Sequence, residues 1–137
     1  MHLTIEQAQG KVPVTILGLH GDLDASNYQE VIAKAQAIYN SGGRHLLLDM
    51  SDVPFMGSSG LVALHSVAVL MRGDKPADPA SGWDAIHAID RDRESGRQTH
   101  VKLLKPQPQV DRVLDRTGLK QFFEVHVDRE TAIASFG

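Results

Sequence analysis

The spacing of hydrophobic and polar residues changes several times along the chain, and each change marks a predicted strand or helix. Near the amino end, the segment VPVTILGLHG alternates around Val14 and Ile16, which predicts a β-strand that ends at residues 18–21. The segment HLTIEQ before it predicts the other strand of a hairpin, with AQGK as the turn. The first two strands are therefore expected to pair directly.

A helix is predicted next, because apolar residues then recur at helical spacing. Ser26 with Gln29 fits a capping box at its start, and Asp24 is an alternative cap. Gly42 and Gly43 end the helix. The apolar stripe consists of Val31, Ile32, Ala35, Ile38 and Tyr39.

The middle of the chain predicts a buried strand followed by a second helix. RHLLLDMS is a short apolar run bounded by turn residues, which is typical of a strand buried on both faces. GSSGLVALHSVAVLMRG has helical spacing and ends at Gly73. One face of this helix carries Leu61, Leu64, Ala68 and Met71.

Strands and helices continue to alternate after residue 100. HVKLLKP predicts a strand, PQPQVDRVLDRTGL a helix that ends at Gly118, QFFEVHVD a short strand and DRETAIASF a last helical turn or two. The order ββαβαβαβα with short connections predicts an α/β fold, a mixed and mostly parallel sheet of about five strands with about four helices. We expect residues 1–137 to form a single domain.

One long connection, residues 74–99, interrupts this alternation and is interpreted as an insertion. Ser81 could cap a short helix there that carries Trp83, Ile86 and Ile89. Such a helix either buries the single tryptophan of the chain against the domain or binds a partner. A lone tryptophan in an apolar stripe favours the first interpretation.

Composition narrows the class of protein. Hydrophobic residues make up 42% of the chain, which is enough for a buried core, and the absence of cysteine excludes disulfides and thiolate metal sites. No segment has the pattern of a signal peptide or a membrane span, so we expect a cytoplasmic protein that does not bind membranes. The net charge is −3, and residues 1–70 hold three basic and six acidic side chains, which argues against direct binding of nucleic acid.

The motifs of common enzymes are missing from the sequence. The seven histidines lack the spacing of a metal site, and the glycine-rich segments match neither common phosphate-binding fingerprint. The segment 57–60, GSSG, is one residue short of the elbow of a serine hydrolase. Asp49, Asp52 and His65 are available as acid and base, but nothing in the sequence assembles them into a triad. We therefore predict no enzymatic activity, no metal and no cofactor.

The segment DVPFMGSSGLVAL places two serines between two glycines at the start of the second helix. Ser58 or Ser59 can cap that helix, which is the simplest interpretation of both residues. The unpaired N–H groups and the positive dipole end of a helix also suit a phosphate attached to a serine there. The residues alone leave both interpretations open.

The same residues resemble the signature of STAS domains, particularly bacterial anti-sigma factor antagonists. LLLDMSDVPFMGSSGLVALHSV is similar to the family's buried strand, its D-x-x-F-M-D-S-S-G-L motif and the helix that follows. ILGLHGDLDASNYQEV is similar to its G-E-L-D loop, and PQPQVDRVLDRTGLKQFFEVHVDRETAI to its last helices and strand. The resemblance covers nearly the whole chain apart from residues 74–99, and it implies the STAS fold.

This resemblance implies a function in signalling and transcription regulation. Antagonists of this type sequester an anti-sigma factor and so free a sigma factor. The anti-sigma factor is usually also a serine kinase, here expected to phosphorylate Ser58 and thereby break the complex, and a PP2C-type phosphatase resets the switch. Ser59 would then be the helix cap or a second interface hydroxyl. The implied partner-binding residues are Asp22, Asp24, Gly57, Ser58, Ser59 and Gly60.

One position departs from the family motif, since Gly57 stands where the family usually has aspartate. The change either removes a contact for the kinase or makes Ser58 more accessible. An alternative function is a STAS scaffold subunit of a signalling assembly or transport complex, without phosphorylation. Some family members bind purine nucleotides weakly, and the sequence leaves that ligand open here.

Overall fold

The strands and helices follow the order expected from the sequence, with one additional short helix. The computed structural model describes residues 1–73 and 98–137, so the interpreted insertion and its Trp83 helix lie outside the described residues, apart from residues 98 and 99. The strands are β1 (His2–Gln9), β2 (Pro13–His20), β3 (Leu46–Asp52), β4 (Val101–Leu104) and β5 (Val125–His126). The helices of the described ranges are α1 (Tyr28–Asn40), α2 (Ser58–Met71), α3 (Pro108–Thr117), α4 (Leu119–Phe122) and α5 (Arg129–Ala134).

The strands form one mixed sheet with the order β1-β2-β3-β4-β5. β1 runs antiparallel to β2, and the other neighbouring pairs are parallel, which confirms the mostly parallel sheet. Because parallel strands end at the same edge of a sheet, the loops after β2 and β3 both start at its carboxyl edge. That edge therefore brings together the two segments that the sequence singled out.

Both faces of the sheet are covered, which explains the continuous apolar run in β3. Leu46, Leu47 and Leu48 are all fully buried. Leu46 and Leu48 belong to the core that the sheet shares with α1, α2, α3 and α4. Leu47 points to the opposite face, where it packs with Ala132 of α5 and with Phe136. The prediction of a strand buried on both faces is confirmed.

The starts of two helices differ from the sequence prediction. The N-cap of α1 is Asn27, so neither the capping box of Ser26 nor a cap by Asp24 is correct. The Ser26 hydroxyl instead donates to the Asp24 carboxylate at 2.6 Å, within a turn that precedes the helix. α2 begins at Ser58 with Gly57 as its N-cap, so a cap by either serine is also wrong.

The carboxyl half contains the main departure in secondary structure. Gly118 ends α3 in the left-handed region with a φ of 82°, as the sequence predicts. The chain then forms α4 where a strand was predicted from Gln121 onwards. This turn buries Phe122 and Phe123, whose ring centroids lie 5.1 Å apart, so the aromatic pair packs into the core from a helix and its exit. Among the described helices, none is both long and apolar enough to cross a lipid bilayer.

Candidate functional site

Two loops meet side by side at the carboxyl edge of the sheet, and backbone hydrogen bonds hold them together. The Leu23 N–H donates to the Phe55 carbonyl at 3.0 Å, and the Gly57 N–H donates to the Leu23 carbonyl at 3.0 Å. The Gly21 N–H also donates to the Asp52 carbonyl at 3.0 Å. The loop after β2 is thereby fixed beside the loop that leads into α2.

Within the loop after β2, polar side chains form hydrogen bonds with the loop's own backbone. The Asp24 carboxylate accepts from the Ser26 N–H at 2.9 Å, and the Asn27 Oδ1 accepts from the Asp24 N–H at 3.0 Å. The Asn27 amide also donates to the Asp22 carbonyl at 2.7 Å. The hydrogen bonds from the Ser26 hydroxyl and N–H lower the pKa of Asp24, so this carboxylate is charged at neutral pH.

The loop that leads into α2 is fixed by two glutamine side chains near the start of α3. Gln109 accepts from the Met56 N–H at 2.9 Å and donates to the Met56 carbonyl at 3.4 Å. Gln107 donates to the carbonyl of Ser51, at the end of β3, at 2.8 Å. α3 therefore positions both ends of the segment that precedes Ser58.

The two serines differ in exposure at the start of α2. Ser58 is exposed and Ser59 is half-buried, and they occupy the first two positions of the helix. The first N–H groups of any helix lack acceptors within that helix, and its amino end carries a partial positive charge. The Ser58 hydroxyl is therefore accessible at a place that tolerates added negative charge.

The two glycines beside the serines have different steric surroundings. A Cβ on Gly60 would lie 2.3 Å from the Met56 Cγ and 3.2 Å from a methyl group of Leu23, so this position requires glycine. The loop and the helix therefore approach each other closely at Gly60. A Cβ on Gly57 would meet just the Phe55 ring at 3.7 Å, an ordinary contact, and its φ of −90° suits any residue.

Acidic side chains and one exposed aromatic ring lie on the two loops that adjoin the start of α2. Asp22 and Asp52 are exposed. The Asp52 carboxylate lies 2.8 Å from Nδ1 of the His20 ring. Phe55 is 46% exposed and is one of three large apolar side chains that are exposed among the described residues. The exposed surface of these two loops therefore carries carboxylates and one aromatic ring.

All six residues expected from the sequence lie on these two adjoining loops and the helix start: Asp22, Asp24, Gly57, Ser58, Ser59 and Gly60. Sequence reasoning missed Asn27 and Gln109, which hold the two loops in place. Asn27 could have been found, because asparagine is a favoured N-cap. Gln109 lies 53 residues from its partner Met56, and no local pattern indicates such a contact.

The described residues form neither a metal site nor a catalytic triad with Ser58. No group of three or more potential ligands within residues 1–73 and 98–137 could hold a metal ion. His65 lies seven residues along α2 from Ser58, about 10 Å along the helix axis. It is buried, with its ring 5.7 Å from that of Phe122, so it belongs to the core and not to a triad with Ser58.

The comparisons with known proteins agree on the fold. Residues 6–73 match the family model described as STAS domain. The structure of an anti-sigma factor antagonist from Mycobacterium paratuberculosis is similar with a TM-score of 0.65 and 19% identity, covering 98% of this chain and 92% of that one. The phosphorylated form of the Bacillus cell fate determinant SpoIIAA is similar with a TM-score of 0.55 and 20% identity, covering 96% of each chain. Curated protein sequences yield no match.

Proposed function

Because this chain belongs to the STAS domain family, we propose that it is an anti-sigma factor antagonist controlled by phosphorylation of Ser58. The partner would be an anti-sigma factor that is also a serine kinase, in the bacterial cytoplasm. Binding sequesters that partner and frees a sigma factor, and phosphorylation releases the partner again. The protein itself carries out no catalysis in this scheme.

The observation that carries the proposal is the pairing of the two loops around Leu23 and Met56. It holds the acidic loop of Asp22 and Asp24 beside the exposed hydroxyl of Ser58. A partner that covers one loop must also contact the other, so the kinase substrate and the binding surface coincide. A modification of Ser58 would then act directly on the complex.

Charge explains why phosphorylation would end binding. A phosphoserine adds roughly −1.5 to −2 charges and three acceptor oxygens. Asp22, Asp24 and Asp52 already make this surface acidic, so a partner that fits it must present basic or neutral groups at close range. The added phosphate alters that balance and occupies space at the interface. The amino end of α2 can receive the phosphate, so release does not require unfolding.

Gly57 is compatible with this function, although aspartate is usual at the position in the family. The absence of a side chain leaves the Ser58 hydroxyl open on that side, with Phe55 as the nearest side chain to a Cβ there. The neighbouring acidic residues Asp22 and Asp24 remain available for kinase recognition. We infer that this antagonist presents Ser58 without the carboxylate that usually precedes it in the family motif.

The experiment begins with a pull-down that identifies the anti-sigma factor kinase. Incubation with that kinase and ATP should add the mass of one phosphate to the chain. Ser58→Ala should abolish the addition, whereas Ser59→Ala, the matched control one position along α2, should retain it. A PP2C-type phosphatase should remove the phosphate from the wild-type chain.

Two results would count against the proposal. Phosphate transfer to Ser59→Ala and Ser58→Ala alike would place the modified residue elsewhere. Recovery of STAS proteins without any kinase, and no phosphate on the chain, would favour a scaffold subunit that works without phosphorylation.

A further inference from the structure

Phe55 differs in exposure from the other phenylalanines of the chain. The sequence has four phenylalanines, and the other three are at most 1% exposed. Phe55 is 46% exposed, although Val53 and Met56 on the same loop are buried. A half-exposed aromatic ring forgoes part of the stabilisation that burial would give it. The loop thus keeps its other large apolar side chains in the core and leaves this ring in solvent.

The backbone that carries the ring is held by hydrogen bonds to other elements. The Phe55 carbonyl accepts from the Leu23 N–H at 3.0 Å. Both backbone polar groups of Met56 are bonded to the Gln109 side chain, and the Gly57 N–H donates to the Leu23 carbonyl at 3.0 Å. Because this backbone is held and a phenylalanine has two side-chain torsions, a partner that covers the ring removes little conformational freedom.

The ring lies against the N-cap position of α2. A Cβ on Gly57 would be 3.7 Å from the Phe55 Cε1, and Gly57 is the N-cap of the helix that Ser58 begins. Glycine has no side chain that could cover the ring on this side. A partner that contacts the exposed Ser58 can therefore reach the Phe55 ring in the same contact.

The two loops carry negative charge without a lysine or an arginine. Residues 21–27 and 52–57 contain Asp22, Asp24 and Asp52 and no lysine or arginine. Asp22 and Asp52 are exposed. Charge complementarity therefore favours a partner with basic side chains at this surface. Arginine suits it best, because a guanidinium pairs with carboxylates and also stacks on aromatic rings.

We propose that Phe55 is the apolar anchor through which the anti-sigma factor kinase binds this chain. The ring enters an apolar pocket of the kinase, and arginine or lysine side chains at the rim of that pocket face Asp22 and Asp52. The identity of the partner rests on the function proposed above. Binding energy at interfaces is concentrated in a few aromatic residues that polar contacts shield from water, and the two loops supply both parts.

The test measures binding of the full chain to the kinase that the wild-type protein captures, by surface plasmon resonance. Phe55→Ala should raise the dissociation constant at least about tenfold, mainly through faster dissociation. Phe55→Leu keeps an apolar side chain and should lose less affinity. Ile5→Ala is the matched control, because Ile5 on β1 is also 46% exposed, and it should change the constant less than about twofold. Circular dichroism identifies each variant as folded.

Asp22→Asn distinguishes the charged rim from the anchor. Loss of this carboxylate should slow association and weaken its dependence on salt, with little change in the dissociation rate. Phe55→Ala should keep the salt dependence of the wild-type chain, because it removes no charge. A salt dependence that falls as much in Phe55→Ala as in Asp22→Asn would contradict the assignment of the ring as an apolar contact.

Mass spectrometry after incubation with the kinase and ATP reports on the proposed function separately. Phosphate on Ser58 of the wild-type chain, with equal affinity of Phe55→Ala and wild type, overturns the anchor and leaves the proposed function standing. Absence of phosphate, with weaker binding of Phe55→Ala than of Ile5→Ala, contradicts phosphorylation and supports the anchor. Equal losses of affinity in Phe55→Ala and Ile5→Ala also overturn the anchor, because exposure of an apolar side chain alone would then explain them.

Discussion

The side-chain amide of Gln109 is hydrogen-bonded to both backbone polar groups of Met56, two residues before Ser58. The Gln109 side chain thus satisfies the backbone donor and acceptor of Met56, as the backbone of a neighbouring strand would. The contact joins elements that are 53 residues apart in the chain. It makes the position of Ser58 depend on α3 as well as on α2.

Replacement of Gln109 by alanine should loosen the loop. We expect the free energy of unfolding to fall by about 1–2 kcal/mol, because two hydrogen bonds are lost and the Met56 groups are partly buried. Hydrogen exchange at residues 53–57 should accelerate more than exchange in β2. Gln121→Ala, at an exposed glutamine of α4, is the matched control and should change neither quantity. Unchanged hydrogen exchange at Met56 in Gln109→Ala would show that the Gln109 side chain is not needed to hold this loop.

Two glycine-to-alanine variants should differ sharply although they lie three residues apart. Gly60→Ala places a Cβ against the Met56 Cγ, so the Met56 side chain must shift, and we expect a loss of stability of about 1–3 kcal/mol. Gly57→Ala makes an ordinary contact with the Phe55 ring at 3.7 Å and should change stability by less than about 0.5 kcal/mol. Chemical denaturation measures both variants. Equal stability of the two would mean that Met56 moves aside without cost.

An aspartate at position 57 should be accepted by the fold. Gly57→Asp puts a carboxylate at the N-cap of α2, where it can accept from helix N–H groups, so stability should rise by about 0.5 kcal/mol. Gly57→Asn has the same size without the charge and should gain less. The difference between the two should vanish at a pH that protonates the aspartate. A loss of stability in both variants would contradict the open surroundings of Gly57.

The buried Lys102 side chain should give the fold an acid-sensitive contact. Its Nζ lies 3.0 Å from Glu124 and 2.9 Å from the Ser135 carbonyl. Burial alone would raise the pKa of Glu124, but the hydrogen bond and charge of Lys102, helped by His126, outweigh burial and lower it. We expect Lys102→Met to cost on the order of 3 kcal/mol, because it leaves Glu124 and the Ser135 groups without their cation.

The sign of the pH dependence follows from the lowered pKa of Glu124. Its carboxylate stabilises the folded state above the ordinary pKa of 4.5, and this contribution is lost as pH falls through the lower pKa of the folded state. Urea unfolding should therefore show that Glu124→Gln differs most from wild type near neutral pH. The difference should shrink below pH 4.5. A difference that stays constant on acidification would contradict the ion pair.

Much of the fold follows from short-range patterns. The alternation in β2 and the continuous apolar run in β3 predict a two-sided sheet, since side chains on a strand point alternately to its two faces. Gly118 was identified as a helix end because the left-handed conformation favours glycine. The site residues Asp22, Asp24 and Ser58 came from a motif, and parallel strand order brings their loops together.

The remaining details depend on contacts that a local pattern does not contain. The N-cap of α1 is Asn27 and not Ser26, whose hydroxyl donates a hydrogen bond to the Asp24 carboxylate. α4 stands where the start of a strand was expected, and Phe122 and Phe123 are buried in the core at its end. Gln109 was missed because its partner Met56 lies on another element. The cap of α1 is the exception, because Asp24 lies two residues from Ser26, whereas at α4 and at Gln109 tertiary packing outweighs local preference.

The most direct test of the central claim compares the affinity of unmodified and Ser58-phosphorylated protein for the same anti-sigma factor kinase. Phosphorylated protein is prepared with the kinase and ATP, separated by ion exchange and measured by calorimetry, with Ser58→Ala treated identically as the control. The account predicts that phosphate weakens binding at least about tenfold while the circular dichroism spectrum is unchanged. Equal affinity of the two forms would contradict it.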